Sequence, residues 1–259
     1  MVLFAYRTDL CVLDGYFVST VRTMNSAQLK QLDRLIEDHC TPEWRELARL
    51  HTTTLLFKPG AVIFREGEKA ANIYMVRHGR VKVYSNYTPD MEVIARFATD
   101  GQVIGHRGIG EDFTFSVSAL ALSETTVYVL PMQIFQSLLK ANNLFCYYFM
   151  LFFSEELRRS ERMHRNQLNM TVKQRVAQAV RMNMESFGFD NEDPTLLAFT
   201  ITRKDMASLA STTYESVIRS LADLQSDGMI KIEGKRLRII DKQGLCNMTH
   251  CSKDFGERD

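Results

Sequence analysis

The stretch that most limits what this chain can become is LFCYYFMLFF, residues 144–153. Asn142 or Asn143 can cap a helix that starts just before it and runs to about Met170. Its first half (Leu144, Phe145, Tyr147, Tyr148, Phe149, Met150, Leu151, Phe152 and Phe153) is apolar on nearly every side, and such a helix is buried on nearly every side. One face can lie on a neighbouring domain, so another element must cover the rest. Met150, Phe153, Leu157, His164 and Leu168 carry one stripe onward at about heptad spacing, with polar Ser160 and Glu161 interrupting it. Glu155–Arg165 is too charged for the interior of a single domain. These features predict a two-fold dimerisation helix over residues 141–170; the plainer alternative is a core helix of a monomer.

On either side of this helix the sequence has a different texture. Residues 26–50 read as helical, with Ser26 as a cap, Leu29, Leu32, Leu35 and Ile36 on one face, and Pro42 opening a second short helix. After His51 short alternating segments follow: Thr54–Phe57, Ala61–Phe64, Ile73–Arg77, Arg80–Tyr84 and Val93–Phe97. Gly60, Gly67, Gly79, Pro89–Asp90 and Gly101 separate them, which predicts a compact β-barrel or sandwich. Ala119–Leu130 supplies the last strands, and Met132–Lys140 a short helix.

Beyond the long helix come a helix at Val172–Ser186, a loop at Gly188–Pro194, and then ITRKDMASLASTTYESVIRSLADLQSDGMIKIEGKRLRIID, residues 201–241. Thr202 followed by Asp205 predicts a capped helix, Arg203 to Ala210, and Thr212 with Glu215 predicts a second that ends before Gly228. Met206, Leu209, Val217, Ile218, Leu221 and Leu224 would lock the two across a tight turn. Thr213, Tyr214, Glu215, Ser216 and Arg219 then open an exposed face suited to the major groove, where Arg219 can contact guanine and Glu215 a cytosine amino group. Arg203, at a helix N-terminus, suits a phosphate. Ile230–Ile232 and Leu237–Ile240 form a hairpin whose Lys231, Lys235, Arg236 and Arg238 can lie along the DNA backbone as a wing.

Composition narrows the classes. Net charge is +1, so a nucleic-acid surface must be local rather than global. Five cysteines (Cys11, Cys40, Cys146, Cys246, Cys251) are scattered, which fits a reducing cytoplasm rather than a disulfide framework. Cys246, His250 and Cys251 lack the second ligand pair of a zinc site; neither a metal nor a cofactor is expected. No apolar run reaches the ~18 residues of a membrane span, and residues 1–23 lack the continuous apolar core of a signal peptide. Paired acids, a nucleophile elbow and a Walker-type loop are missing, and GHRGIG at 105–110 lacks the required Lys-Ser/Thr, so an enzyme is not expected.

From about Met24 to Asp241 the chain resembles the CRP/FNR family of bacterial transcription regulators. The resemblance rests on FKPGAVIFREGEKAANIYMVRHGRVKVY, residues 57–84, and on the helix-turn-helix. It implies an α+β chain: a β-barrel or jelly-roll sensor domain (24–140) after an uncertain N-terminal extension (1–23), the dimerisation helix (141–170), a winged helix-turn-helix domain (171–245) and a tail (246–259). It also implies a homodimer on palindromic double-stranded DNA, with RNA polymerase as a further partner. The family's base-reading positions fall on Tyr214, Glu215 and Arg219, the first of which is usually arginine.

In its cyclic-nucleotide-binding members a Gly-Glu pair and a later arginine hold the ribose and the phosphate. Here they read Gly105–His106 and Phe115, the latter followed by Ser116. Arg107 is a candidate replacement for the lost charge. The helix positions that usually meet the purine fall near Ser160 and Glu161. Losing the cation leaves a buried phosphate poorly compensated, so the expected effector is an unknown small molecule other than cyclic AMP, or none. Cys11 and Cys40 cannot supply the four thiolates of an iron–sulfur cluster. His78, His106 and His164 read as turn and surface residues. The alternative function is a ligand-binding module acting through protein partners.

Overall fold

The computed structural model describes residues 10–13, 16–19, 31–88 and 91–249. Ser26 and Leu29, assigned to the first helix, lie outside them, as do His250 and Cys251. Within the N-terminal extension, β1 (Leu10–Leu13) and β2 (Tyr16–Ser19) pair as an antiparallel hairpin. The helical stretch upstream of the barrel splits into α1 (Leu32–His39) and α2 (Pro42–His51), with Pro42 in the first turn of the latter, where its missing N–H costs nothing.

The N-terminal domain is two facing four-stranded antiparallel sheets. One has the order β3-β10-β5-β8, with β3 Thr53–Phe57, β5 Asn72–His78, β8 Val103–Ile104 and β10 Thr125–Pro131. The other has the order β4-β9-β6-β7, with β4 Val62–Phe64, β6 Val81–Thr88, β7 Met91–Ala98 and β9 Ser118–Ala121. Each sheet turns an apolar face inward, where Phe64, Tyr74, Val76, Val83, Ala119 and Val127 form the core.

A bulge in β7 decides which way its side chains point. Val83 pairs with Arg96 but the next residue, Tyr84, pairs with Ile94, so Ala95 is the extra residue. Arg96 therefore shares the inward face of Val83, while Ile94 and Phe97 share the outward face of Tyr84 and Lys82. That outward face is covered by the C-terminal domain: Tyr84, Ile94 and Phe97 belong to the same apolar cluster as Val176, Val180, Met206 and Leu221.

After α3 (Met132–Ala141), the long helix α4 (Asn143–Asn169) begins. Asn142 stands at its N-cap position but does not cap it; the side-chain oxygen accepts from the Thr41 N–H and the side-chain amide donates to Leu138 O. Phe145, Tyr148, Phe149 and Phe152 bury one face of the apolar half of α4 against the barrel core, while Leu144, Tyr147 and Met150 on the other side are exposed, so burial is one-sided in this chain alone. Then come α5 (Val172–Phe187), α6 (Arg203–Leu209), α7 (Tyr214–Ser226), the hairpin β11 (Ile230–Glu233) with β12 (Arg236–Ile239), and α8 (Lys242–Met248). The last helix runs across the boundary placed at residue 245, and Leu245 is fully buried. Among the described residues, no helix is long and apolar enough to cross a membrane.

Candidate DNA interface and sensor site

Thr202 caps α6 reciprocally: its hydroxyl accepts from the Asp205 N–H at 3.0 Å and donates to Asp205 Oδ2 at 2.7 Å. The second cap differs from expectation by one residue. Thr213, rather than Thr212 with Glu215, accepts from the Ser216 N–H at 3.2 Å. Met206, Leu209, Val217, Leu221 and Leu224 are buried between the helices, whereas Ile218 is exposed. Positions 217, 221 and 224 follow one helical stripe, and Ile218, about 100° round the axis, joins Tyr214 on the outer face. Tyr214, Glu215 and Arg219 are exposed there, while Ser216 is half-buried behind its cap. Arg203 is half-buried, and that burial lowers its pKa against a weaker opposing effect of Tyr214. Arg175 donates to Ala210 O in the turn at 2.7 Å and to Met170 O at 2.8 Å, tying the end of α4 to the helix-turn-helix.

The wing carries less free charge than its sequence suggests. Arg236 pairs with Asp190 at 2.8 Å and Lys231 with Glu233 at 3.2 Å. Arg238 is held by Glu233 and Asp193 and donates to Thr195 Oγ1, so it braces the hairpin base rather than facing outward. Lys235 is exposed at the turn.

The first helix of the motif docks on the barrel. Strand β7 is a sheet edge, and Ser208 covers it by donating to Glu92 O at 2.6 Å and accepting from the Ile94 N–H at 3.2 Å. Beside it Lys82 Nζ donates to Glu92 Oε2 at 2.7 Å and to Asp205 Oδ1 at 3.0 Å. Burial pulls the Lys82 pKa down, but the two carboxylates outweigh it and hold the ammonium above its ordinary value.

The residues expected to line an effector pocket divide. Gly105, at φ +83 and with the Tyr74 ring close to where a Cβ would stand, turns the chain so that His106 points inward. His106 is almost fully buried, which corrects its reading as a surface residue; His78 and His164 are exposed. Burial, reinforced by Arg96 and Arg107, holds its imidazole well below the ordinary value and therefore neutral. Its ring meets Phe152 edge-on at 4.8 Å and Phe153 at 5.6 Å. Arg107 is partly exposed, with Nη2 at 3.9 Å from Glu156. Phe115 is not a pocket residue. It is buried, with its ring 4.2 Å from that of Phe64, and a guanidinium there would displace core. Ser116 is exposed and makes a long contact of 3.5 Å to Arg107 O; Ser160 and Glu161 are exposed on α4.

Two residues not foreseen complete this region, Arg96 from β7 and Glu156 from α4, both buried. Arg96 Nη2 donates to Val103 O. Burial brings the Arg96 pKa down to about 10, Glu156 opposing and Arg159 and Arg107 adding to the drop, so it stays charged at neutral pH. Surface cavities of about 610 and 240 Å³ open elsewhere, one beside Arg45, Arg49 and Met75 and the other beside Gly79, Arg80 and Phe187.

Of the expected dimer stripe, Met150, Leu157 and Leu168 are 54%, 61% and 73% exposed, and His164 is exposed with them. Phe153 is half-buried and turned toward Phe149 and His106. Among the described residues no group of histidine, cysteine and acidic side chains could hold a metal.

Comparison with known proteins matches residues 54–142 to the cyclic nucleotide-binding domain and residues 174–248 to the Crp-like helix-turn-helix domain. Electron transport regulator A of Shewanella oneidensis is 26% identical over 223 residues, 86% of this chain and 83% of that protein. Transcriptional activator protein FnrA of Stutzerimonas stutzeri is 24% identical over 197 residues, 76% of this chain and 80% of its own. The solved structure of FixK2 from Bradyrhizobium japonicum shares the fold, with a TM-score of 0.67 at 21% identity, covering 76% of this chain and 96% of that one.

Proposed function

The chain belongs to the CRP/FNR family of transcription regulators, and on that premise we propose that it reads a palindromic DNA site as a homodimer whose sensor does not use cyclic AMP. The family consists of DNA-binding regulators, not enzymes. One observation carries the proposal. The exposed face of α7 presents Tyr214, Glu215 and Arg219, while Val217, Leu221 and Leu224 anchor its back. Such a helix reads base edges from its N-terminal turns, with Arg219 to guanine and Glu215 to cytosine. Thr213 and Ser216 set its first turn. Arg203, Lys235 and Arg236 would contact phosphates, the last only by giving up Asp190.

The partner is a second copy joined along α4. Met150, Leu157 and Leu168 leave a run of large apolar side chains uncovered on one helix, which a two-fold copy would bury, with His164 beside them and Phe153 at the edge. Two copies place half-sites about one helical turn apart, and RNA polymerase is the natural further partner in a cytoplasmic setting. For the sensor, Phe115 in the core and Glu156 beside His106 both disfavour a cyclic phosphate, leaving another small effector or none.

Selection of random DNA by the protein without added effector tests this reading. Enrichment of a palindrome is expected, and Arg219→Ala should lose about 1–3 kcal/mol of discrimination at one base pair per half-site. Binding without any sequence preference, equal in the variant, would sink the DNA-reading role and favour a protein-docking one.

A further inference from the structure

The long helix delivers one carboxylate into the barrel. Glu156 Oε2 lies 3.7 Å from Arg96 Nε, 3.8 Å from His106 Nε2 and 3.9 Å from Arg107 Nη2. These groups come from β7 and from the turn that Gly105 opens, so two elements of the fold converge on one side chain of α4. Arg96 and His106 are all but inaccessible, at 1% and 2% exposure. Arg96 Nε and Nη1 and both ring nitrogens of His106 have no hydrogen-bond partner, although buried polar groups of this kind are nearly always satisfied.

The local charge follows from the protonation states. Arg96 stays charged, and the guanidiniums of Arg107 and Arg159 act on it alongside the one carboxylate of Glu156, so around the neutral imidazole the positive groups outnumber the negative. Inward-facing, unsatisfied donors with net positive charge describe an anion-binding site. A pair serving only as a brace would close to hydrogen-bond length, as Lys82 does with its carboxylates. Here the anion stands at ion-pair distance from all three groups, and it is attached to the element that leaves the barrel.

We propose that Glu156 is the resident ligand of the sensor: its carboxylate takes the anion position between Arg96, His106 and Arg107 and couples the barrel to the long helix without a diffusible effector. This rests on the barrel being the sensor, as argued above, and gives that site a chemical class. An outside ligand competing here must itself be a small anion able to displace a tethered carboxylate.

Chemical rescue tests it on the full chain. Glu156→Ala should lower the thermal midpoint in sodium chloride by roughly 6–12 °C, because removing one partner of a buried pair strands the other charge. Replacing chloride by sodium formate or acetate at equal ionic strength should recover at least half of that loss, with a saturable dose dependence. The unaltered protein should not respond, and Glu156→Ala with Arg96→Met should not be rescued. An equal response of variant and parent to acetate, or a saturable rescue of the double variant, overturns the proposal. If Glu156→Ala does not fold, Glu156→Gln preserves the shape and removes the charge, and a midpoint equal to the parent's overturns the proposal just as well. The readout involves no DNA, so failure of the DNA-reading role would leave this result standing on its own.

Discussion

Lys82 and Arg96 stand on neighbouring strands of one sheet, Lys82 pointing out of the barrel and Arg96 into it. Each carries a buried positive charge, yet they are settled differently. Lys82 sits between two carboxylates at 2.7 and 3.0 Å, and one of these, Asp205, is further held by the Thr202 hydroxyl. Arg96 faces one carboxylate at 3.7 Å, shared with a histidine and a second arginine, and its Nε and Nη1 make no hydrogen bond. Desolvating a charge costs several kcal/mol, and only short, well-directed hydrogen bonds recover most of it. The outer cluster has those bonds and fixes the DNA-binding domain to the edge of the barrel. The inner cluster has one, from Arg96 to the Val103 carbonyl, while its carboxylate stands 3.7–3.9 Å from Arg96, His106 and Arg107, which leaves electrostatic stress where the barrel meets α4.

The largest effect that can break this contrast is at the outer cluster. Lys82→Ala leaves Glu92 and Asp205 facing each other beside the sheet edge, and chemical denaturation should register a loss of about 3–5 kcal/mol. Amides of α6 should exchange faster in the same variant, since Ser208 and Lys82 both fasten that helix to β7. A loss of 1 kcal/mol or less, the range typical of exposed pairs, would mean that Lys82 is solvated in solution and the contrast is false.

A smaller effect sharpens the inner half through pH. The folded pKa of His106 is lowered, chiefly by burial and then by Arg96 and Arg107, whereas the unfolded chain titrates near the ordinary 6.5. As pH falls below about 6.5 the unfolded state binds a proton that the folded state refuses, so stability present above that pH is lost toward acid. The limiting slope is about 1.4 kcal/mol per pH unit. His39, lowered by burial against an opposing Asp38, contributes in the same direction. Denaturation midpoints between pH 7 and pH 5 should therefore fall less steeply in His106→Gln than in the parent. Identical slopes would show that His106 takes up its proton alike in the folded and unfolded chains, and a steeper fall in the variant would show an imidazolium paired with Glu156; either result contradicts a neutral buried imidazole.

Why one cluster was hidden from the sequence and the fold was not is a matter of range. Alternating segments between glycine turns specify strands locally, and Thr54–Phe57 and Ile73–Arg77 lie within β3 and β5. Which face Arg96 takes depends on the bulge at Ala95; a regular strand would place Arg96 on the same face as Ile94, toward α6. Glu156 lies at the start of a charged run that suggests a solvated helix, and only the approach of the Gly105 turn makes it interior. The helix-turn-helix was legible because its signals span three or four residues. Even so, Thr213 replaced Thr212 as the cap, and Ile218 turned outward because the stripe of Val217, Leu221 and Leu224 had already filled the interface.

A neutral, exposed hydrogen bond sets the scale against which both clusters are measured, and Thr213 supplies it. Its hydroxyl oxygen accepts from the Ser216 N–H at the start of α7, with no charged group in the pair and solvent nearby. Thr213→Ala should therefore cost about 1 kcal/mol, the usual worth of such a cap and well below the loss at Lys82. Thr212→Ala should cost little, since Thr212 does not cap the helix. The same variants separate stability from recognition. Freeing the Ser216 N–H frays the turn that carries Tyr214 and Glu215, so Thr213→Ala should weaken binding to the selected site more than binding to random DNA. If Thr212→Ala instead shows the larger loss in both measurements, the cap lies one residue earlier and the face presented to DNA is rotated by about 100° from the one described.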